Sequence, residues 1–400
     1  MTLSAQVKLS SFSSNVWERV REALSELAQN VVSVNGYKSP VLIEGGIYQG
    51  IWLECGPHEG LIYAEETGDT GVALANHEIF FHHQREDGQF PCWVRKHGVG
   101  FAQIQMVVPI AFTALRTAKL TGNSGFLARA YESCVKWDQW LSKYRNSRGT
   151  GLCEAFCEFD TGHDHSPRFA GLPRQCPNNE AANLPSEQQF PGLPFIAPDL
   201  SSTVYQGRTA LAEMASLLGK TSEAESWTES AQELRELLEK YCYDPEDEFY
   251  YDRDRAGNFV RIKGDVITRV FGSHILPQER FDRIYERHVK SPASFWSNYP
   301  LPSIAMDDPL FVGSFSENSW AGASQALTAL RTPEWLEHYG KTDDLRHLMR
   351  QWVHAIVEAP SFMQQMNPQT GVFNTSPSYS PCMLTLVRFV NRLKKSQVIF

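Results

Sequence analysis

Apolar residues recur along most of this chain at three- and four-residue steps, the spacing of an amphipathic helix. In SSNVWERVREALSELAQNVV, the residues Val16, Val20, Leu24, Leu27 and Val31 form one such stripe behind a serine cap, which predicts a helix over about 13–32. The stretch FAQIQMVVPIAFTALRTAKLTG is apolar on most faces and reads as a helix buried between neighbours. Further helices are expected at about 70–85, 123–145, 201–219, 222–241, 265–274, 278–289, 318–330, 342–358 and 380–394. Strand-like alternation is confined to short pieces, EFYYDRD and NFVRI, which read as one hairpin.

Three segments share one grammar: LTGNSGFLARAYESCVKW, LLGKTSEAESWTESAQEL and HYGKTDDLRHLMRQWVHA. A helix ends at Gly122, Gly219 or Gly340, and Ser124, Thr221 or Thr342 is expected to cap the next one. Each is a tight αα-hairpin, recurring about every hundred residues. Between these corners run long polar, aromatic-rich connections at about 46–60, 86–100, 150–200, 291–319 and 361–380. Short turns at one end of the helices and long loops at the other predict an all-α fold, a single (α/α)6 toroid filling residues 1–400. Its loop-rich face would carry the function.

The composition, 42% hydrophobic and 21% charged over 400 residues, is globular. A net charge of −9 argues against nucleic acid as a partner, because phosphate binding needs a concentrated basic face. The N-terminal residues show no apolar leader and no apolar run reaches membrane-spanning length, so a cytoplasmic protein without a membrane partner is expected. Eight cysteines with no CxxC pair suggest buried thiols, not a disulfide framework.

The chemistry concentrates in the long loops. DTGHDHSPRF gathers Asp160, His163, Asp164, His165 and Arg168. It could be a metal cluster, a polar turn or a catalytic carboxylate with helpers. The spacing resembles no helical metal motif, so neither metal nor another cofactor is expected. Arg168 is placed to bind an anionic group or to orient Asp164, and it could equally pair with an internal carboxylate. In IYQGIWLECGPHEG, the residues Tyr48, Trp52, Glu54 and His58 combine aromatic faces with polar groups, as a sugar site requires, although Trp52 could be core and Glu54 a helix-start carboxylate. Trp93 and Phe101 flank glycines as a further pocket wall or a packed turn. Glu317, Asn318 and Trp320 precede an apolar run, where Glu317 could serve only the helix dipole. Gln364, Gln365 and Tyr379 lie before the last helix.

The segments GIWLECGPHEG, GHDHSPRF, NYPLPS…DDP…NSWAG and MNPQTG…YSP occur in the order seen in trehalase-like (α/α)6 glycoside hydrolases. From about 40 to 390 the chain resembles the mannosylglycerate and glucosylglycerate hydrolases of glycoside hydrolase family 63, most closely at Gly162–Phe169. The resemblance implies an inverting glycosidase with Asp164 as general acid. Such enzymes keep acid and base about 6.5–9.5 Å apart to admit a water. Two departures stand out: Glu54 takes the place of a sugar-binding Asp, and Gln364 and Gln365 stand where the family's general base is a Glu. Glu317 is then the expected base, with Glu54 second. Tyr48, Trp52, Glu54, His58, Trp93, Phe101, His163, Arg168, Asn318, Trp320, Gln364, Gln365 and Tyr379 are the expected substrate contacts. The substrate would be a small sugar conjugate. Because an amide cannot take a proton from water, a second reading is an isomerase, lyase or cyclase using Asp164 for proton transfer. A third is a catalytically silent sugar-binding protein.

Overall fold

The computed structural model describes residues 14–397 apart from Ser314. Twelve α-helices frame it: α1 (Ser14–Gln29), α2 (Gly56–Thr67), α3 (Thr70–His82), α4 (Ile110–Thr121), α5 (Ser124–Tyr144), α6 (Pro198–Leu217), α7 (Thr221–Cys242), α8 (Val266–Gly272), α9 (Gln278–Ile284), α10 (Ala326–His338), α11 (Thr342–Glu358) and α12 (Ser380–Gln397). The even-numbered helices touch in sequence, and α12 returns to α2, closing a ring. The odd-numbered helices pack outside it: α3 and α5 against two ring helices each, α7 on α6, α11 and α1 on α12. Phe281 of α9 reaches Phe271 of α8 at 4.6 Å between rings. This is an (α/α)6 toroid, and one continuous apolar cluster runs through it. No helix among the described residues is long and apolar enough to cross a membrane.

The tight corners follow the predicted grammar with one shift. Gly122, Gly219 and Gly340 all hold left-handed backbone, with φ of 64, 74 and 72°. The cap sits one residue earlier than expected, however. The Asn123 side chain accepts from the Phe126 amide and caps α5, which makes Ser124 the first helical residue. Thr221 and Thr342 likewise lie inside their helices, behind Lys220 and Lys341, neither of which caps through its side chain.

Two expected helices are displaced for physical reasons. Residues 101–109 are not helical, because Asp160 takes the Ile104 amide with its carboxylate and the Met106 amide with its carbonyl. The helix expected over 318–330 starts only at Ala326. Ser324 and Gln325 first pair as a strand with Met366 and Gln365. Gly322 also lies so near the Val312 carbonyl that a Cβ would collide with it. α10 then runs through Pro333; the carbonyl of Ala329, which that proline cannot satisfy, accepts from the Thr332 hydroxyl at 2.7 Å. The predicted hairpin is present, with Asp252 opposite Val260 and Arg253 opposite Phe259, and it extends a sheet that includes Phe195–Ile196 and Glu154–Ala155.

Asp160 anchors this loop face. Fully buried, it holds Arg145 at the end of α5 through both carboxylate oxygens and accepts from the amides of Phe156 and Cys157 as well. Asp160→Asn would leave a buried guanidinium without its counter-charge, costing about 3–5 kcal/mol. The expected outcome is a melting temperature lowered by several degrees in a calorimetric scan, with far-UV helicity retained below the transition.

Candidate active site

The loop after Asp160 turns on two left-handed residues, Gly162 (φ 63°) and His165 (φ 57°). It thereby sends its four polar side chains apart. Asp160 goes down to Arg145. His163 is buried between the Thr161 hydroxyl (3.1 Å) and Asp265 (3.0 Å), with its ring edge-on to Trp320. Burial, then the positive charge of Arg269, lowers the His163 pKa to about 4, so the ring is neutral. His165 is exposed, 3.5 Å from Glu317. Asp164 alone turns into the loop face. Its carbonyl accepts from the Trp320 amide and its carboxylate from the Asn318 side chain, both at 2.8 Å. Burial, then the nearby Glu158, raises the Asp164 pKa to about 6.

Arg168 takes the internal pairing and not the substrate contact. It does not face a ligand: its side chain is 4% exposed and grips Asp199 (2.7 and 2.8 Å) and Asp252 (2.5 and 2.6 Å), each through two hydrogen bonds. All its donors are committed to these carboxylates and to contact with His163.

Facing Asp164 is a set of buried glutamates. The Glu54 carboxylate lies against Gly162, filling the place where a Cβ would stand, so only glycine fits there. Glu44 accepts from the Tyr379 phenol at 2.7 Å, and oxygens of Glu44 and Glu54 lie within 4.8 Å of each other and of the Cys55 thiol. Glu59 is fully buried one helical turn after Cys55. Burial raises all three glutamates to about 8; Glu44 adds to the effect on Glu54, and Glu59 to that on Glu44. Asp164 also raises Glu44 and Glu54, which ties it to the group. Glu54 alone of the three has two arginines, Arg269 and Arg331, drawing its pKa down.

Aromatic and amide side chains line the same region. Tyr48 packs edge-on to Trp52 and against Tyr379, and its hydroxyl donates to the Gln364 carbonyl oxygen at 3.1 Å. Trp52 pairs across its sheet with Trp93, and Arg95 lies over both indoles. Gln365 has a structural task, bridging Ser319, Gln325, Asn374 and the Glu317 carbonyl.

Three expected residues lie elsewhere. The Glu317 side chain is 72% exposed and stands apart from the buried carboxyls. Phe101 is stacked on Arg85, which pairs with Glu180 on the outer loops. His58 is buried in the ring among Arg388, Glu334, Arg116 and Arg331, its pKa held well below the usual range by burial.

Sequence reasoning missed Glu44, Glu59, Arg269 and Arg331. A signal existed for Glu44: in VLIEGG it closes an apolar run, and two glycines follow it. Side chains at Gly45 and Gly46 would collide with Ser378, Ser376 and Pro377. Glu59 and Arg269 sit within helices whose periodicity marks them only as buried, and Arg331 is half-buried on α10.

The model of the mannosylglycerate hydrolase MGH1-like glycoside hydrolase domain matches residues 62–380. The fold is similar to the GH63 mannosylglycerate hydrolase from Thermus thermophilus in complex with Tris, with a TM-score of 0.75 at 17% identity over 92% of this chain and 99% of that one. The same hydrolase in complex with Tris and D-glycerate aligns with a TM-score of 0.74, also at 17% identity and with the same shares of each chain. Neutral trehalase from Saccharomyces cerevisiae aligns over 91% of this chain and 76% of its own, with a TM-score of 0.68 at 14% identity.

The buried glutamates have a consequence for stability. Between their ordinary value of 4.5 and about 8, the folded chain binds more protons than the unfolded one, so stability falls as pH rises through that window. The melting temperature should be highest near pH 5 and decline toward about pH 9. Glu59→Gln should flatten that decline; an equally steep fall in the variant would count against the cluster as its source.

Proposed function

Because the chain belongs to the mannosylglycerate hydrolase MGH1-like glycoside hydrolase family, we propose that it hydrolyses a small glycoside with inversion, using Asp164 as general acid and Glu54 as general base. It is a glycosidase-like enzyme by family; the residue roles rest on geometry. The observation that carries the reading is the pairing of two environments. Asp164 is a half-buried carboxyl hung by its backbone on Trp320, and Glu54 is a buried carboxyl fitted against Gly162, two residues before that acid.

An inverting hydrolase needs one proton held ready for the leaving oxygen and one carboxylate to take a proton from water. Glu44, Glu54, Glu59 and Asp164 repel each other's negative charge, so the group retains protons at neutral pH. Asp164, near 6, loses its proton before Glu54, near 8, so the reactive form is the minority one with the proton on Asp164 and the charge on Glu54, where Arg269 and Arg331 favour it. Gln364 and Gln365 stand where the family's base is a Glu, and an amide can only orient: the Gln364 oxygen accepts from Tyr48, leaving its NH2 to hold a sugar hydroxyl or the water. Tyr48, Trp52 and Trp320 supply the ring faces a sugar stacks on. Glu317, at the exposed rim, has no part in the chemistry. We read residues 1–400 as one catalytic domain, and the eight unpaired cysteines support a reducing, cytoplasmic setting. Gln364 favours the second reading, non-hydrolytic proton transfer by Asp164, which predicts turnover of a sugar conjugate without uptake of water.

The test is a panel of aryl glycosides and glycosyl-glycerates followed by proton NMR of the released sugar. Inverted product, a fall of about 10²–10⁴-fold in kcat for Asp164→Asn and Glu54→Gln, and a change of no more than about threefold for Glu317→Gln are expected. A dead Glu317→Gln beside an active Glu54→Gln would overturn the base assignment. The kcat/KM profile should be bell-shaped with limbs near 6 and 8, a shape that does not depend on which carboxyl holds the proton.

A further inference from the structure

Beneath the glutamates, inside the ring of helices, lies a cavity of about 30 Å³ whose polar wall is set by two arginines, Arg269 of α8 and Arg331 of α10. Arg269 is fully buried. One of its terminal nitrogens donates to the Thr161 carbonyl and lies 3.4 Å from Asp199. Its Nε and its other terminal nitrogen have no hydrogen-bond partner among the described residues. Arg331 donates to the Thr328 hydroxyl at 3.2 Å, and burial, then the charge of Arg269, lowers its pKa to about 10. Two like charges thus face one small buried space.

Among the acids nearby, Glu54 feels the charge of both arginines, and the others are already engaged. Asp199 is held by Arg168, Asp265 by His163 and Thr328, and Glu334, the one acid on the cavity wall, by Arg116 and Arg388. The remaining wall hydroxyls spend their protons on backbone carbonyls: Thr203 on Val107, Thr268 on Asp265 and Ser273 on Val270. The side-chain donors that remain on this wall are the arginines, the His58 ring and the Gln206 amide, which also donates to the Gly272 carbonyl. Buried guanidinium N–H groups that lack an acceptor are costly, and an anion satisfies both the hydrogen bonds and the charge.

We propose that this cavity is a binding site for a monatomic anion, chloride in the cell, held by Arg269 and Arg331. Size narrows the class: the space suits one or two waters or one small ion and not a sugar. The site adjoins the Glu54 backbone. Val108 on the cavity wall donates to the Glu54 carbonyl, and Arg269 holds Thr161 beside the Gly162 on which the Glu54 carboxylate rests. An anion here offsets part of the arginines' pull on Glu54, so halide concentration would tune that carboxyl. The site stands on its own residues, whatever reaction the chain performs.

The test needs no substrate. Melting temperatures are compared in sodium chloride, sodium bromide and sodium gluconate at equal ionic strength. Both halides should give a saturating rise of about 2–5 °C over gluconate in the native chain, and none in Arg331→Met. Crystals grown in bromide should show an anomalous peak within hydrogen-bonding reach of the Arg269 Nε. Should Arg331→Met fail to fold, the bromide map of the native chain decides alone. Bromide peaks confined to the surface, or equal melting temperatures in halide and gluconate, would overturn the proposal and leave the cavity to water.

Discussion

The double grip of Arg168 on Asp199 and Asp252 is the constraint on which the loop face depends. It joins three distant parts of the chain: the loop carrying Asp164, the first turn of α6, and the strand at Asp252–Arg253. Burial opposes the charge on Asp199, but Arg168 and then Arg269 outweigh it and hold its carboxyl well below the usual range. Because the fork is planar and bidentate on both sides, it fixes direction as well as distance. With Asp160 clamped to Arg145 at the other end, residues 160–168 have little freedom, and Asp164 is presented by a rigid backbone.

That rigidity explains how the ring can tolerate so much like charge at its centre. Glu44, Glu54 and Glu59 are buried where apolar residues would be easier to accommodate, and each disfavours the ionisation of the others. A soft site would relieve this by letting water in or swinging a carboxyl out. Here Glu54 is wedged against Gly162 and Glu44 is tied to Tyr379, so the repulsion is retained as raised pKa values. Retained protons next to a carboxylate are what acid–base chemistry on a sugar requires, and among the three glutamates Glu54 is the one that Arg269 and Arg331 help to ionise.

Much of the frame was legible. Helical periodicity located most helices to within a few residues, and the three glycine corners are left-handed as read. The misreadings had local causes. Asparagine outcompeted serine as the cap at Asn123 because its side chain reaches the Phe126 amide from one position earlier. An apolar run at 101–109 was drawn straight by Asp160, a residue more than fifty positions away in sequence. Its polar motif leaves Arg168 open to a ligand or to an internal carboxylate, and nothing in the sequence discloses that two aspartates reach it from 31 and 84 residues away.

Hydrophobic spacing and turn residues determined the toroid, since both act over a few residues and need no distant partner. The order of the loop motifs also marked the family and drew attention to Asp164. The fate of each charge was decided only by the tertiary structure. Whether a carboxylate is neutralised, buried beside another or left at the rim depends on which helices bring cations to it. Thus Glu317, in a conspicuous motif, lies in water, while Glu44 and Glu59, in ordinary apolar contexts, meet Glu54 at the centre of the ring. Electrostatic energy depends on distance and solvent exposure in three dimensions, and neither is written in residue order.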